Sequence, residues 1–264
     1  MRVLFITQEI TPYLPESEMS VICRNLPQGI QEEGKEIRTF MPRFGCINER
    51  RNQLHEVIRL SGMNLIISES DHPLIIKVAS IQSARMQVYF IDNEEYFSRR
   101  HILYDDNNEL LPDNDERAVF FARGVLETVR KLRWVPNIVH CHGWFTGLVP
   151  LYVKKAFRED PLFSRSKVVY SIYNEIFDGL FSQNFKTKAL IDGVSKKDVV
   201  SLVDANYVSI NKLAINYSDG FVLVGSDFHS EIIESLNLSK KPVIQHHPDS
   251  YIKDYSAFYD KILK

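Results

Sequence analysis

The stretch Asn137 to Leu151, NIVHCHGWFTGLVPL, limits the fold more than any other part of the chain. Ile138 and Val139 begin a short apolar run that reads as a buried strand, and a polar His-Cys-His-Gly-Trp turn follows at once. Phe145, Leu148, Val149 and Tyr152 then recur at helical spacing, so a helix with one apolar face leaves the turn. In an open α/β sheet, a polar cluster at the carboxyl end of a strand is where ligands bind. One segment thus indicates both a fold class and the place of a site.

The rest of the chain repeats the pattern. Arg2 to Thr7 (RVLFIT) is an apolar run suited to a strand buried on both faces. Met19, Ile22, Cys23, Leu26 and Ile30 follow at helical spacing, Gly34 stops that helix, and Ile37 to Met41 is the next strand. Val57 to Leu60, Asn64 to Ile67, Leu74 to Val78 and Met86 to Ile91 are short strand-like runs between turns, expected as antiparallel ribbons extending the sheet. Residues 96–108 read as a surface loop. Asp113 and Glu116 form a capping-box pattern ahead of a long helix with Ala118, Phe121, Val125 and Val129 on its apolar face. Lys167 to Ile172 and Phe221 to Val224 are further strands, with polar helical linkers at 195–204 and 210–217. Pro242 to Gln245 is a last strand and Tyr255 to Leu263 a terminal helix. With no repeat or hinge-like linker, residues 1–264 read as a single Rossmann-like, doubly wound α/β domain with an antiparallel extension.

Composition excludes several functions. A formal net charge of −2 gives no electrostatic footprint for nucleic acid or an anionic membrane. MRVLFIT is too short an apolar run for a signal peptide, and no run reaches the ~18 residues that span a bilayer. Cys23, Cys46 and Cys141 are scattered and odd in number, so the expectation is a reduced, cytoplasmic protein without zinc or disulfides.

Four ordered motifs carry a family resemblance. The opening RVLFITQEITP is similar to a first strand followed by a Glu-x-x-Pro turn, with Glu9 and Pro12 in place. ICRNLPQGIQEEGKEIRTFMPRFG continues it, then VYFIDNEEYFSRRHILY with LPDNDERAVFFARGVLE. NIVHCHGWFTGLVPLYVK is close to an Asp-Ile-Val-His-x-His-Asp-Trp-x-Thr-x-Leu-x-Pro signature. Together they resemble the amino-terminal domain of bacterial glycogen synthases and plant starch synthases, retaining glucosyltransferases that use ADP-glucose. The resemblance implies a GT-B architecture of two Rossmann-like domains, glucan acceptor mainly on the first and nucleotide-sugar mainly on the second. These 264 residues match the first, and the donor-binding C-terminal domain is expected to be absent from them.

The departures fall at site positions. The family's Lys-Thr-Gly-Gly-Leu loop aligns with Pro15, Glu16, Ser17, Glu18 and Met19. That loop brings glycine backbone and a lysine charge onto the donor phosphate. Losing a charged hydrogen bond costs ~1.5–3 kcal/mol, and a left-handed non-glycine residue a further ~1–2 kcal/mol. The sum weakens ADP-glucose binding roughly a hundred- to several-thousandfold, before repulsion by Glu16 and Glu18. Gly143 stands where the signature has Asp, and Tyr173 where a Thr-x-His-Asn-x-x-x-x-Gly motif has His. Asn211 onward and Gly225 to Phe228 also depart from the pattern.

By the resemblance, Glu9, His142, Trp144 and Asn174 are the acceptor-side candidates, and no residue is assigned a catalytic role. Each has a plainer reading beside it. Glu9 is also a strand-end cap, and Trp144 is more readily packed under the following helix than used as a sugar platform. His140 and His142 would start a metal site only with a third ligand that the sequence does not offer. The preferred reading is a hydrogen-bonded core His140 and a cleft-facing His142. Tyr104 and Asp113 match by position, His246 and His247 read as a solvated turn, and Ser226 lacks the second glycine of a nucleophile elbow. Two functions follow as expectations. One is a glucosyltransferase domain acting on an α-1,4-glucan, weak or inactive alone, with ADP-glucose as donor and no other cofactor or metal. The alternative is a non-catalytic domain that binds a glucan, or a protein partner standing in for the missing domain.

Overall fold

A computed structural model describes the chain from Met1 to Lys264. In chain order its elements are β1 (Arg2–Thr7), α1 (Glu18–Glu32), β2 (Glu36–Pro42), β3 (His55–Glu56), β4 (Met63–Ile67), β5 (Ser70–Ile81), β6 (Met86–Asp92), α2 (Glu94–Phe97), α3 (Asn114–Lys131), β7 (Ile138–His142), α4 (Val149–Lys154), β8 (Lys167–Tyr173), α5 (Phe185–Lys188), α6 (Tyr207–Tyr217), β9 (Gly220–Val224), α7 (Ser230–Ser239), β10 (Val243–Gln245) and α8 (Tyr251–Leu263). No helix is long and apolar enough to cross a membrane.

The strands form one sheet in the order β10-β9-β8-β7-β1-β2-β6-β5-β3, with β4 paired to β5. From β10 to β6 every neighbouring pair is parallel. β5 runs antiparallel to β6, β4 and β3, giving the extension expected from the short ribbons. β1 lies between β2 and β7, with Leu4 opposite Arg38 on one side and Val139 on the other. The chain moves outward from β1 through β2 to β6, returns to β7, and then moves outward the other way. The strand order therefore reverses between β1 and β7, which opens a crevice at their carboxyl ends. Helices cover both faces there, so β1 from Val3 onward and all of β7 are buried.

α8 folds back across the sheet onto α1. Gly29 leaves room for Ile252, since a Cβ there would meet its Cγ2 at 2.6 Å. Gly220 does the same for Ile262 and Phe258. The free thiols of Cys23 and Cys141 are buried, while Cys46 is exposed.

Several local expectations are corrected. Val57 to Leu60 is a turn closed by the Leu60 N–H on the Val57 carbonyl, and only the Val57 N–H still reaches β5, at the Ile76 carbonyl. Residues 96–108 begin inside α2, which Asn93 caps by accepting from the Tyr96 N–H at 3.1 Å. Asp113 precedes α3 but makes no capping bond, because its carboxylate pairs with Arg99. Glu116 is likewise committed, to Lys188 at 2.8 Å and the Tyr96 hydroxyl at 3.1 Å. The helix expected from Phe145 is split into a 3₁₀ turn, Trp144–Thr146, and α4, with Pro150 in the first turn where it needs no N–H partner. Residues 195–204 hold only a 3₁₀ turn, Val200–Leu202.

Candidate functional site

The crevice is built from three strand ends. At β1, Thr7 fixes the backbone of Glu9: its hydroxyl donates to the Glu9 carbonyl at 3.1 Å and accepts from the Glu9 N–H at 3.2 Å. Gln8 between them is 1 % exposed. Its Nε2 donates to Glu175 Oε1 at 2.7 Å and lies 3.4 Å from Glu9 Oε1. The chain returns to α1 through Ser17, which caps the helix by accepting from the Ser20 N–H at 3.0 Å. Ser20 reciprocates to the Ser17 N–H at 2.8 Å. The Ser17 hydroxyl donates to Glu9 Oε2 at 2.5 Å. Where the family has a glycine-rich phosphate loop, this chain has a helix cap tied to a carboxylate.

At the end of β7, the rings of His140 and His142 lie with centroids 4.0 Å apart, tilted by 34°. Both ring nitrogens of His140 are engaged, Nδ1 with the Tyr259 hydroxyl and Nε2 with the Ser171 hydroxyl, each at 2.7 Å. That matches the hydrogen-bonded core role and leaves no nitrogen for a metal. His142 differs from its expected cleft-facing position and is fully buried. Its Nδ1 meets the Tyr173 hydroxyl at 2.8 Å, so the residue that replaces the family histidine covers it. Burial, reinforced by nearby His246, pushes its imidazole down to about 3.

Gly143 follows with φ +77 and ψ 166, a region open essentially to glycine alone. A Cβ there would lie 2.5 Å from Met19 Cε and 2.8 Å from Glu175 Oε2. Trp144 is 1 % exposed, its ring held among Phe145, Phe177 and Phe181 with centroids 5.0–5.6 Å away. It lies beneath the crevice and presents no free face to it. Asn174, at the end of β8, is exposed on the rim beside Gly225. Glu175 turns inward. Burial first, and then the Glu9 carboxylate, push its carboxyl up to about 8, against the Trp144 backbone and Gln8.

The structure thus gathers Glu9, Ser17 and Gly143, places Trp144 and His142 below them, and leaves Asn174 at the edge. The sequence reading did not single out Gln8 or Glu175. The signal was weak: Glu175 occupies an unspecified position of its motif, a single acid in the run YNEIF. Three buried polar atoms here lack a hydrogen-bond partner: Gln8 Oε1, Glu175 Oε2 and His142 Nε2. Ser226 is exposed and bonded to Asp227, while His246 meets the Tyr255 hydroxyl at 2.9 Å. A groove of about 830 Å³ is walled by Tyr104, Glu109, Leu110 and residues 176–180, the segment directly after Glu175 in the chain.

Comparison with known proteins gives these features a lineage. Residues 2–240 match the starch synthase catalytic domain family. The glycogen synthase of Chlorobium limicola is 36% identical over 195 residues, which is 74% of this chain and 40% of that protein. That of Chlorobaculum tepidum is 33% identical over 243 residues, 90% of this chain and 48% of its own length. The chain therefore spans less than half of these curated relatives. In structure it superposes on the catalytic domain of starch synthase IV from Arabidopsis thaliana, bound to ADP and acarbose, with a TM-score of 0.76 at 18% identity. That match covers 94% of this chain and 52% of the other, and confirms the fold as half of a GT-B enzyme. From its ordered motifs, its sheet and these matches, the chain belongs to the starch synthase catalytic domain family.

Proposed function

We propose that this chain is the acceptor-side half of a glycogen/starch synthase-type glucosyltransferase, which holds an α-1,4-glucan at the β1–β7 crevice and transfers no glucose from ADP-glucose by itself. The observation that carries this reading is the charge of the crevice rim. The loops at residues 8–17, 143–148, 174–184, 225–229 and 246–250 contain no Lys or Arg. They carry Glu9, Glu16, Glu175, Asp178, Asp227 and Asp249. On the β2 side, Arg43 is neutralised by Asp92 at 3.0 Å, and Arg99 by Asp113. A pyrophosphate entering here meets carboxylates and a capped helix end, whereas a neutral sugar meets hydrogen-bonding groups.

Transfer of radiolabelled glucose from ADP-glucose to glycogen tests the catalytic half of this statement, and calorimetric titration with ADP-glucose and with maltoheptaose tests the binding half. The expected result is maltoheptaose binding, no measurable ADP-glucose binding and no transfer. Transfer by these 264 residues alone would overturn it.

A second reading is favoured by Ile176 and Leu180, which are 52% and 64% exposed on the rim loop after β8. Apolar side chains at a crevice edge suit contact with another protein unit, such as a donor-binding half supplied by a separate chain. Mixing this chain with the separately produced donor-binding half of a relative would then restore transfer, and Ile176→Glu with Leu180→Glu would abolish that gain.

A further inference from the structure

We infer that Glu175 is a ligand-binding carboxyl of the crevice, delivered from the loop after β8 to the space beside Gly143, where with Glu9 and Gln8 it recognises adjacent hydroxyls of a neutral sugar. This inference rests on the glucan-binding reading above and names the residues that make the contact.

Position comes first. The signature this chain resembles carries its carboxylate at position 143, and here that residue is glycine. Glu175 Oε2 lies 2.8 Å from where a Cβ on Gly143 would stand, so its carboxyl end occupies the volume of the missing side chain. The backbone at 143 is locked in a glycine-only conformation, and the carboxyl now arrives from the neighbouring strand end.

The carboxyl is also held and only half satisfied. Gln8 fixes Glu175 Oε1 at 2.7 Å, and Ser17 fixes Glu9 Oε2 at 2.5 Å. Glu175 Oε2 and Gln8 Oε1 make no well-formed hydrogen bond, although both atoms are buried and the Trp144 backbone lies close to the carboxyl. Gln8 is 1 % exposed, so its unused oxygen cannot turn to bulk solvent at no cost. The protonated Glu175 Oε2 and the Gln8 amide oxygen set one donor beside one acceptor, which suits two neighbouring sugar hydroxyls.

Charge selects the ligand class. With no Lys or Arg in the five surrounding loops, an anion gains nothing here. Glu175 keeps its proton at neutral pH, through burial and then Glu9, so the pair does not repel and can donate as well as accept. A groove of about 830 Å³ runs along residues 176–180, directly after Glu175, and the Tyr104 phenol on its wall is raised by burial and then by the charges of Glu175 and Glu9. An aromatic ring beside carboxyl groups suits the apolar face and polar edge of a sugar.

Calorimetric titration of the full chain with maltoheptaose tests the assignment, using wild type, Glu175→Gln, Glu175→Leu and the distant surface control Glu159→Gln. Thermal unfolding at pH 8 is measured on the same samples. Wild type and the control should bind alike, Glu175→Leu should bind at least tenfold more weakly, and Glu175→Gln should fall between them. Both Glu175 variants should melt no lower than wild type at pH 8, because they remove a buried acid without a full set of partners. If wild type binds maltoheptaose and Glu175→Leu stays within twofold, the glucan reading stands and the assignment of Glu175 falls. If wild type does not bind, both fall. A lower melting temperature with unchanged binding assigns Glu175 to structure alone.

Discussion

His142 and Glu175 respond to pH with opposite signs. The imidazole of His142 is held down to about 3, against an ordinary value of 6.5. As pH falls through 6.5, the unfolded chain takes up a proton that the folded chain refuses, so stability drops toward acid pH. His140, also depressed by burial, adds in the same direction. Glu175 is pushed from 4.5 up to about 8, so the folded chain holds its proton longer and stability drops as pH rises from 4.5 toward 8. Urea unfolding of wild type and Glu175→Gln from pH 5 to pH 8.5 checks this. The advantage of the variant should widen steadily up to pH 8. Gly143→Ala should cost about 2–4 kcal/mol in the same assay, from the forbidden backbone region and the collision with Met19. Much of this residue-level detail was closed to sequence reading. A glycine replacing an aspartate reads as a lost carboxylate, because sequence cannot show that a side chain from the end of the next strand fills its space. His142 misled for a related reason: alternation along a strand indicates which face a residue takes, but not that Tyr173 will cover it.

Elements were easier to read where burial was two-sided. RVLFIT and the Lys167 to Ile172 run are buried on both faces of a parallel sheet, so continuous apolarity marked them clearly. Ser230–Ser239 gave little signal, since only Ile232 and Leu236 of that helix are buried and the capping acceptor is the His229 ring. Asp113 showed the reverse problem: a strong capping motif lost to an ion pair with Arg99, a contact that depends on tertiary structure. A capping box does form at Ser17, where Ser17→Ala should lower stability by about 1 kcal/mol. The same change frees Glu9 Oε2, so maltoheptaose affinity should shift with it while a Ser17→Thr variant retains both, by calorimetry and urea unfolding. At α8, Tyr259→Phe leaves His140 Nδ1 buried without a partner and should cost about 1–3 kcal/mol in unfolding free energy.

At the scale of the whole molecule, the doubly wound class was legible because the strand–helix alternation admits few arrangements, while the strand order comes from the structure. The crevice followed from it, at the reversal between β1 and β7. What sequence could not supply was the path of residues 246–264, which lie beyond the family match ending at 240. They turn back and lay α8 over α1 and the middle of the sheet, with Tyr259 on His140 and Ile252 against Gly29. This arrangement sets a timetable for synthesis. His140 sits in a central strand, yet the partner of its Nδ1 is 119 residues further along the chain. At ~5–20 residues per second a ribosome needs roughly 6–24 seconds to make that interval. Until then His140 Nδ1 has no partner and the flank of α1 is bare. A pulse-labelling experiment on stalled chains should find β1, β2 and β7 protected only once α8 has emerged, and a chaperone that shields apolar surface should bind most strongly just before it does.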